Sequence, residues 1–167
     1  MSALVIRPVT AADAPAIAAI YNHYVRESIV TFEEADVTAK DMAGRIEAVT
    51  GAYPWLVGEV DGAVAGYAYA RKYHERAAYR HTVETTIYLD HRLHGRGHGR
   101  TLYGALLAML PALGVHCAIG SISHPNPGSV GLHEALGFAK VGHFPQIGFK
   151  FGRWIDVVYL HRFLEAP

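Results

Sequence analysis

Six residues constrain this chain more than any others. The run His94-Gly95-Arg96-Gly97-His98-Gly99 lies between a β-rich segment, Thr82–Leu89, and a stretch of helical periodicity with Leu102, Leu106, Met109 and Leu110 on one stripe. Glycine reaches backbone conformations closed to other residues and lets N–H groups come close to a ligand. A helix that starts straight after such a loop has unpaired first N–H groups and a partial positive charge at that end. The combination suits a phosphate, and Arg96 and Arg100 add charge that can meet a second one. A flexible turn is the plainer reading of the loop alone. Two nucleotide motifs are excluded. A P-loop ends in Gly-Lys-Ser/Thr, whereas Gly99-Arg100-Thr101 has Arg for Lys and the loop lacks the G-x-x-x-x-G-K spacing. A dinucleotide fingerprint follows an early strand and has an acid about 20 residues on. This loop follows a late strand, and Val115–Ser121 holds no acid.

Strand and helix patterns alternate around the loop. Leu4–Val9 reads as a strand. Thr10-Ala11-Ala12-Asp13 has the form of a capping box with Asp as the acid, Pro15 falls in the first turn, and Ile17, Ile20, Tyr21 and Tyr24 share one helical face. Ile29–Phe32 reads as a short extended piece, and Thr38–Asp41 repeats the capping pattern before a helix ending near Val49. Trp55–Val60 and Ala63–Arg71 form a hairpin about Asp61-Gly62, followed by a polar loop, Lys72–Arg80. Val115–Ile119 is a strand, and Pro127–Leu136 is a helix stopped by Gly137. Phe138–Phe144 and Ile155–Leu160 form an antiparallel pair joined by a long loop. With no repeat or linker in 167 residues, the pattern predicts one domain, 1–167, of α/β or α+β class around one sheet.

Composition narrows the partners. Lys plus Arg and Asp plus Glu number 15 each, so the basic excess of a nucleic-acid binder is missing and no nucleic-acid partner is expected. At 18% charged and 51% hydrophobic residues, disorder is excluded for most of the chain. No apolar stretch approaches the ~18 residues of a membrane helix. Ser2–Thr10 lacks the pattern of a leader, so no membrane association and a cytoplasmic address are expected. Cys117 is the only cysteine; within the apolar Val115–Ile119 it reads as a buried small residue rather than a nucleophile. His91, His94 and His98 form a string of the kind zinc sites use. It runs through the glycine loop without a cysteine, and no metal is expected.

The loop resembles the Gln/Arg-x-x-Gly-x-Gly/Ala motif of the GNAT acetyltransferase superfamily, with His94 where Gln or Arg is usual. A closer resemblance, to the phosphinothricin and methionine sulfoximine N-acetyltransferases, spans nearly the whole chain. It is carried by Ile20-Tyr21-Asn22, Thr31–Glu34, Thr82–Glu84, Ile87–Leu89, Ser129 with Leu132–Phe138, and Gly148–Asp156. The resemblance implies a mixed, twisted central sheet flanked by helices. Its fourth and fifth strands, here Thr82–Leu89 and Val115–Ile119, would splay apart to admit acetyl-CoA. Backbone groups of Ile87, Tyr88 and Leu89 would pair with the pantetheine arm. His94, Gly95, Arg96, Gly97, His98, Gly99 and Arg100 would hold the pyrophosphate, and Asn126 would hydrogen-bond the cofactor near its thioester.

The implied reaction is direct acetyl transfer to the amine of a small amino-acid-like acceptor such as phosphinothricin, methionine sulfoximine or methionine sulfone. Such an activity confers resistance to herbicide-like analogues and leaves Cys117 without a role. Glu84 matches the family's proposed general base, needed because only a neutral amine attacks the thioester. His133 stands where many relatives carry a tyrosine, as a group that could protonate the departing thiolate or help deprotonate the amine. A surface or N-cap glutamate and a helix histidine packed on the sheet are the plainer readings. For the acceptor the resemblance implies the Lys72–Arg80 loop with His74, Glu75, Arg76 and Tyr79, Phe32 as an apolar wall, and Thr85 and Thr86 as donors. Arg76, Arg80 or Arg71 could take a carboxylate. Lys150–Trp154 would form a closing loop or a contact in a homodimer. The rival readings are a GNAT enzyme acting on a peptide amine, polyamine or aminoglycoside, and a non-catalytic acetyl-CoA sensor.

Overall fold

Alternation along residues 55–72 sets the layout. In the computed structural model, which describes residues 3–165, β1 (Val5–Pro8) pairs with β2 (Trp55–Val60), which turns back into β3 (Ala63–Lys72). Residues 1, 2, 166 and 167 of the expected 1–167 domain, Ser2 of the leader reading among them, lie outside the described residues. The turn residues Asp61 and Gly62 have φ of 53° and 76°, the positive values a two-residue hairpin needs. Successive β3 side chains point to opposite faces. On one face Tyr67 joins Trp55 and Val57 beneath α1 (Ala14–Glu27) and α2 (Ala39–Thr50), where Ile17, Ile20, Tyr21 and Tyr24 are buried as their spacing predicts. On the other face Ala68 and Ala70 leave room for Leu102, Leu106 and Leu107 of α3 (His98–Met109) and for Leu110 just beyond it. Each such leucine contributes roughly 1.5–3 kcal/mol by leaving water. Met109 departs from the expected stripe and is 44% exposed. The buried arc centres on Tyr103, Leu106 and Leu110, and position 109 falls at its margin.

The two capping patterns are used differently. Thr38 Oγ1 accepts from Asp41 N (3.1 Å) and donates to the Asp41 carboxylate (2.6 Å). At Thr10 only the reciprocal half is made: Asp13 N donates to the Thr10 carbonyl (3.1 Å) rather than to the side chain, closing a single 3₁₀ turn, Ala11–Asp13, ahead of α1. The Asp13 carboxylate accepts from Thr10 N (2.7 Å) and from two Arg7 nitrogens (2.7 and 2.8 Å), and Arg7 also reaches Glu59 (2.6 Å).

The remaining strands are β4 (Thr82–Leu89), β5 (Cys117–His124), β6 (Ala139–Lys150) and β7 (Arg153–Phe163), with α4 (Pro127–Ala135) between β5 and β6. The seven-stranded sheet has the order β1-β2-β3-β4-β5-β7-β6; every pairing is antiparallel except β4 with β5. This is the mixed sheet with flanking helices that the pattern and the resemblance imply.

Three local expectations change. β5 starts at Cys117 and continues past Ile119 to His124, because β7 pairs with it along that length. The expected long loop before the last strand is strand: β6 runs through two irregularities to Lys150 and turns at Phe151-Gly152. Bulges break the two-residue alternation, which hides such a strand from pattern reading. Ile29–Phe32 is loop, held down by Lys150. That side chain is only 1% exposed, and its Nζ donates to the carbonyls of Ser28 and Thr31 (2.8 Å each).

Candidate active site

The parallel pairing of β4 and β5 is short. Thr82, Val83 and Glu84 pair with Cys117, Ala118 and Ile119; beyond Glu84 the strands part and the β4 edge has no strand partner on that side. The gap is a cleft of about 680 Å³ lined by Thr85–Leu89 on one side and Ser121–Ser123 on the other, with Asn126, Ser129 and His133 from α4 and Gly95, Gly97, Gly99 and Arg100 at its mouth.

The three glycines differ in their work. Gly95 and Gly97 have φ of 75° and 82°, and a Cβ on either would meet no atom within 4 Å. Their backbone borders open space. A Cβ on Gly99 would come 3.1 Å from Leu89 Cδ1, so this glycine lets α3 close on β4. The first helical bond of α3 runs from Thr101 N to Gly97 O (3.2 Å), which leaves the N–H groups of His98, Gly99 and Arg100 ahead of it without helical acceptors. Arg100 lines the cleft; Arg96 and His98 are absent from its walls.

Glu84 projects from β4 opposite Arg71 on β3, and Arg71 Nη2 donates to Glu84 Oε1 at 2.6 Å. The side chains are 23% and 53% exposed, and both line the cleft. Glu84 Oε2 forms no hydrogen bond among the described residues. Alternation puts Thr86 on the same face, across from Tyr69. Thr85 points the other way, with its hydroxyl 2.6 Å from Tyr103 Oη in the interior.

His133 is 4% exposed. Its Nδ1–H donates to the Ser129 carbonyl (2.7 Å), so Nε2 accepts from the Tyr103 hydroxyl (3.0 Å), which in turn accepts from Thr85. Burial pushes the His133 pKa down, with the Ser129 bond opposing, and burial pushes Tyr103 up. A Cβ at Gly120 of β5 would sit 2.7 Å from His133 Nε2, so glycine there makes room for the ring. The ring is packed against the sheet, the plainer of its two readings. Asn126 caps α4, its Oδ1 accepting from Ser129 N (3.2 Å).

Other expected residues lie apart from these. Phe32 rests against Gly148 of β6, and it is Thr31 and Glu33 of that loop that line the cleft. His74, Glu75, Arg76 and Tyr79 are exposed and absent from the cleft walls: His74 and Tyr79 cluster with Tyr73, and Glu75 pairs with Lys72. Cys117 is buried, and burial raises its thiol pKa. Among the described residues no three His, Cys, Asp or Glu side chains gather as a metal site; His91 stacks on His23, and His94 bonds to Tyr24. No helix of the described residues is long and apolar enough to cross a membrane. Sequence reasoning missed Tyr103, whose one signal was a tyrosine amid an apolar helix face. It also missed the pair Arg45–Glu33 (2.6 Å). Burial, with Glu33 beside it, pushes the neighbouring Tyr21 up to about 12.

Comparisons with known proteins agree with this geometry. A family model described as an acetyltransferase (GNAT) domain matches residues 6–159. The phosphinothricin N-acetyltransferase of Streptomyces viridochromogenes is 44% identical over 162 residues, covering 97% of this chain and 88% of that protein. The L-methionine sulfoximine/L-methionine sulfone acetyltransferase of Salmonella typhimurium is 34% identical, covering 97% of this chain and 95% of that protein. The crystal structure of a phosphinothricin acetyltransferase from Sinorhizobium meliloti in complex with acetyl-CoA matches with a TM-score of 0.94 at 39% identity, over 98% of this chain and 89% of that one. A splayed parallel strand pair, a glycine loop opening α3 and these full-length likenesses together make this chain an acetyltransferase of the GNAT family.

Proposed function

We propose that this enzyme transfers the acetyl group of acetyl-CoA directly to the amine of a small amino-acid-like acceptor of the phosphinothricin, methionine sulfoximine or methionine sulfone type. The observation that carries this is the Glu84–Arg71 pair in the same cleft as an unpartnered β4 edge and two open, positive-φ glycines. Relatives named for these acceptors support the substrate class.

The residues present fit acetyl-CoA. The edge at Ile87–Leu89 can pair with the amides of an extended arm, as an added strand would. Gly95 and Gly97 with the free N–H groups opening α3 suit a diphosphate, and Arg100 adds charge. Asn126, its oxygen committed to capping, keeps its amide N–H groups for the cleft. When bound, acetyl-CoA supplies an activated acetyl thioester. Glu84 takes the proton of the acceptor's amine through Oε2, directly or by one water. Arg71, beside it, holds the acceptor's carboxylate, since a guanidinium makes a two-pronged contact with that group. For returning a proton to the departing thiol, this chain offers His133, which lines the cleft and whose Nδ1–H would have to leave the Ser129 carbonyl; Tyr103, fully buried and absent from the cleft walls, positions that ring.

A homodimer, formed through the exposed Phe144, Phe149, Phe151 and Trp154 of the β6–β7 hairpin, belongs to the same reading. So does a cytoplasmic address, which cell fractionation checks. Acetylation of phosphinothricin-type compounds would make a host resistant to them, and growth on such a compound with and without the gene reads that out.

The deciding experiment is free-thiol release from acetyl-CoA across a panel of phosphinothricin, methionine sulfoximine, methionine sulfone, spermidine, an aminoglycoside and a peptide amine. Turnover is expected with the first three. Turnover confined to the others overturns the acceptor class. No turnover, with a thermal shift on adding coenzyme A, turns the reading to a sensor; ligand at 100 times its dissociation constant stabilises a fold by about 2.7 kcal/mol.

A further inference from the structure

His94 stands in the glycine loop where the family motif has Gln or Arg. Its environment fixes which ring nitrogen carries a proton. Tyr24 of α1 lies between two partners: its hydroxyl is 2.5 Å from the Leu89 carbonyl and 2.7 Å from His94 Nε2. A phenol has one proton to donate, and a carbonyl can only accept. The Tyr24 proton therefore goes to Leu89, and Nε2 of His94 must be the N–H that donates to Tyr24. In the neutral ring this leaves Nδ1 as a bare lone pair, with no hydrogen-bond partner among the described residues. The ring lines the same cleft mouth as Gly95, Gly97 and Arg100.

A lone pair facing a diphosphate is repelled; an N–H there is attracted and forms a charge-assisted bond. Gln and Arg always carry a donor. Histidine held in this tautomer can supply one only by taking up a proton. We propose that His94 is a proton-linked ligand for the diphosphate of coenzyme A, gaining a proton at Nδ1 as the anion enters while Tyr24 keeps Nε2 as the donor to its own oxygen. This rests on the reading that the cleft takes coenzyme A.

The other charges here leave that role to His94. Asp90, behind the loop, is engaged by Arg92 (2.5 Å), with His91 3.7 Å from its other oxygen. His91 is stacked on His23 of α1, with ring centroids 3.7 Å apart. Arg96 in the loop and Arg100 on α3 are cations at any relevant pH, and His98 is absent from the cleft walls.

The test is calorimetric binding of coenzyme A without acceptor, at pH 7 to 8, in Hepes and in Tris. The difference in binding heat between buffers of unlike ionisation enthalpy counts the protons taken up. Wild type should take up at least about 0.3 proton per site more than His94→Gln, in the pH range where imidazoles respond to neighbouring charge. Tyr24→Phe is the second variant. It keeps the imidazole but frees the ring to adopt the tautomer with a proton on Nδ1, so uptake should fall toward that of His94→Gln while binding persists. Equal uptake by wild type and His94→Gln overturns the inference, and so does full uptake by a folded Tyr24→Phe. Absence of any binding heat and thermal shift in wild type instead overturns the coenzyme A reading beneath it.

Discussion

Replacing Glu84 by Gln separates chemistry from architecture. Gln keeps the length of the side chain and an oxygen for Arg71, and loses only the basic carboxylate. The ion pair is open to solvent, at 23% and 53% exposure, and exposed pairs contribute about 0–1 kcal/mol. A chain of this size should then lose at most about 2–4 °C in Tm. Catalysis should lose far more. The acceptor's ammonium titrates above neutrality, so at pH 7 only a minor fraction is free amine, and each pKa unit above the working pH costs about 1.4 kcal/mol. A positioned base contributes ~10²–10⁴ in rate, or about 2.7–5.4 kcal/mol. We expect kcat/KM for phosphinothricin to fall at least about 100-fold at pH 7. The deficit should narrow as pH rises toward the amine's own pKa, where solution supplies the free base. Thiol release measured from pH 6 to 9.5, beside melting curves, reads both quantities. A Glu84→Gln enzyme within about threefold of wild type, with a parallel pH profile, would refute the assignment of Glu84 as base.

Three further outcomes follow from the geometry. The Arg7 guanidinium beside Asp13, helped by the Thr10 N–H, lowers its pKa from 3.8 to about 2, so its stabilising contribution is complete above about pH 4 and is lost as pH falls through about 2. Asp13→Asn should cost about 2 kcal/mol in urea unfolding at pH 7, with the gap to wild type closing near pH 2; a gap constant across that range would contradict the account. In Gly120→Ala the new Cβ meets the His133 ring at 2.7 and 2.8 Å, so the ring must leave Tyr103 at a cost of about 1–3 kcal/mol. An unchanged Tm and unchanged His133 ring resonances would show that the ring does not pack there. The protein should sediment at twice its 18.2 kDa at micromolar concentration and Trp154→Glu should shift it toward monomer; a wild-type monomer under those conditions removes the homodimer.

The glycine loop, the helix start at Thr38 and the Asp61-Gly62 hairpin could all be read from consecutive residues. Each is a local device: a backbone angle only glycine holds cheaply, a side chain that caps its own helix, a turn that reverses its own strands. The motif at 94–99 pointed to the cleft for the same reason, whereas Glu84 was singled out only by the resemblance of its strand to the family. The first part of β6 was legible as Phe138–Phe144, but its continuation to Lys150 was not, since bulges interrupt the two-residue period, and neither was Met109, whose exposure depends on how far α3 is rolled against Ala68 and Ala70.

The partners within the site depended on assembly. Arg71 meets Glu84 because β3 and β4 align in one register, and a shift of one residue would put them on opposite faces. Tyr103 and His133 come from different helices brought together over Gly120. Lys150 is buried because two carbonyls of a loop more than a hundred positions away receive its ammonium. His94 is held in one tautomer by a tyrosine of the first helix. Composition and period carry short-range energies along the chain, whereas hydrogen-bond partners and protonation states belong to groups that become neighbours only after the sheet has formed.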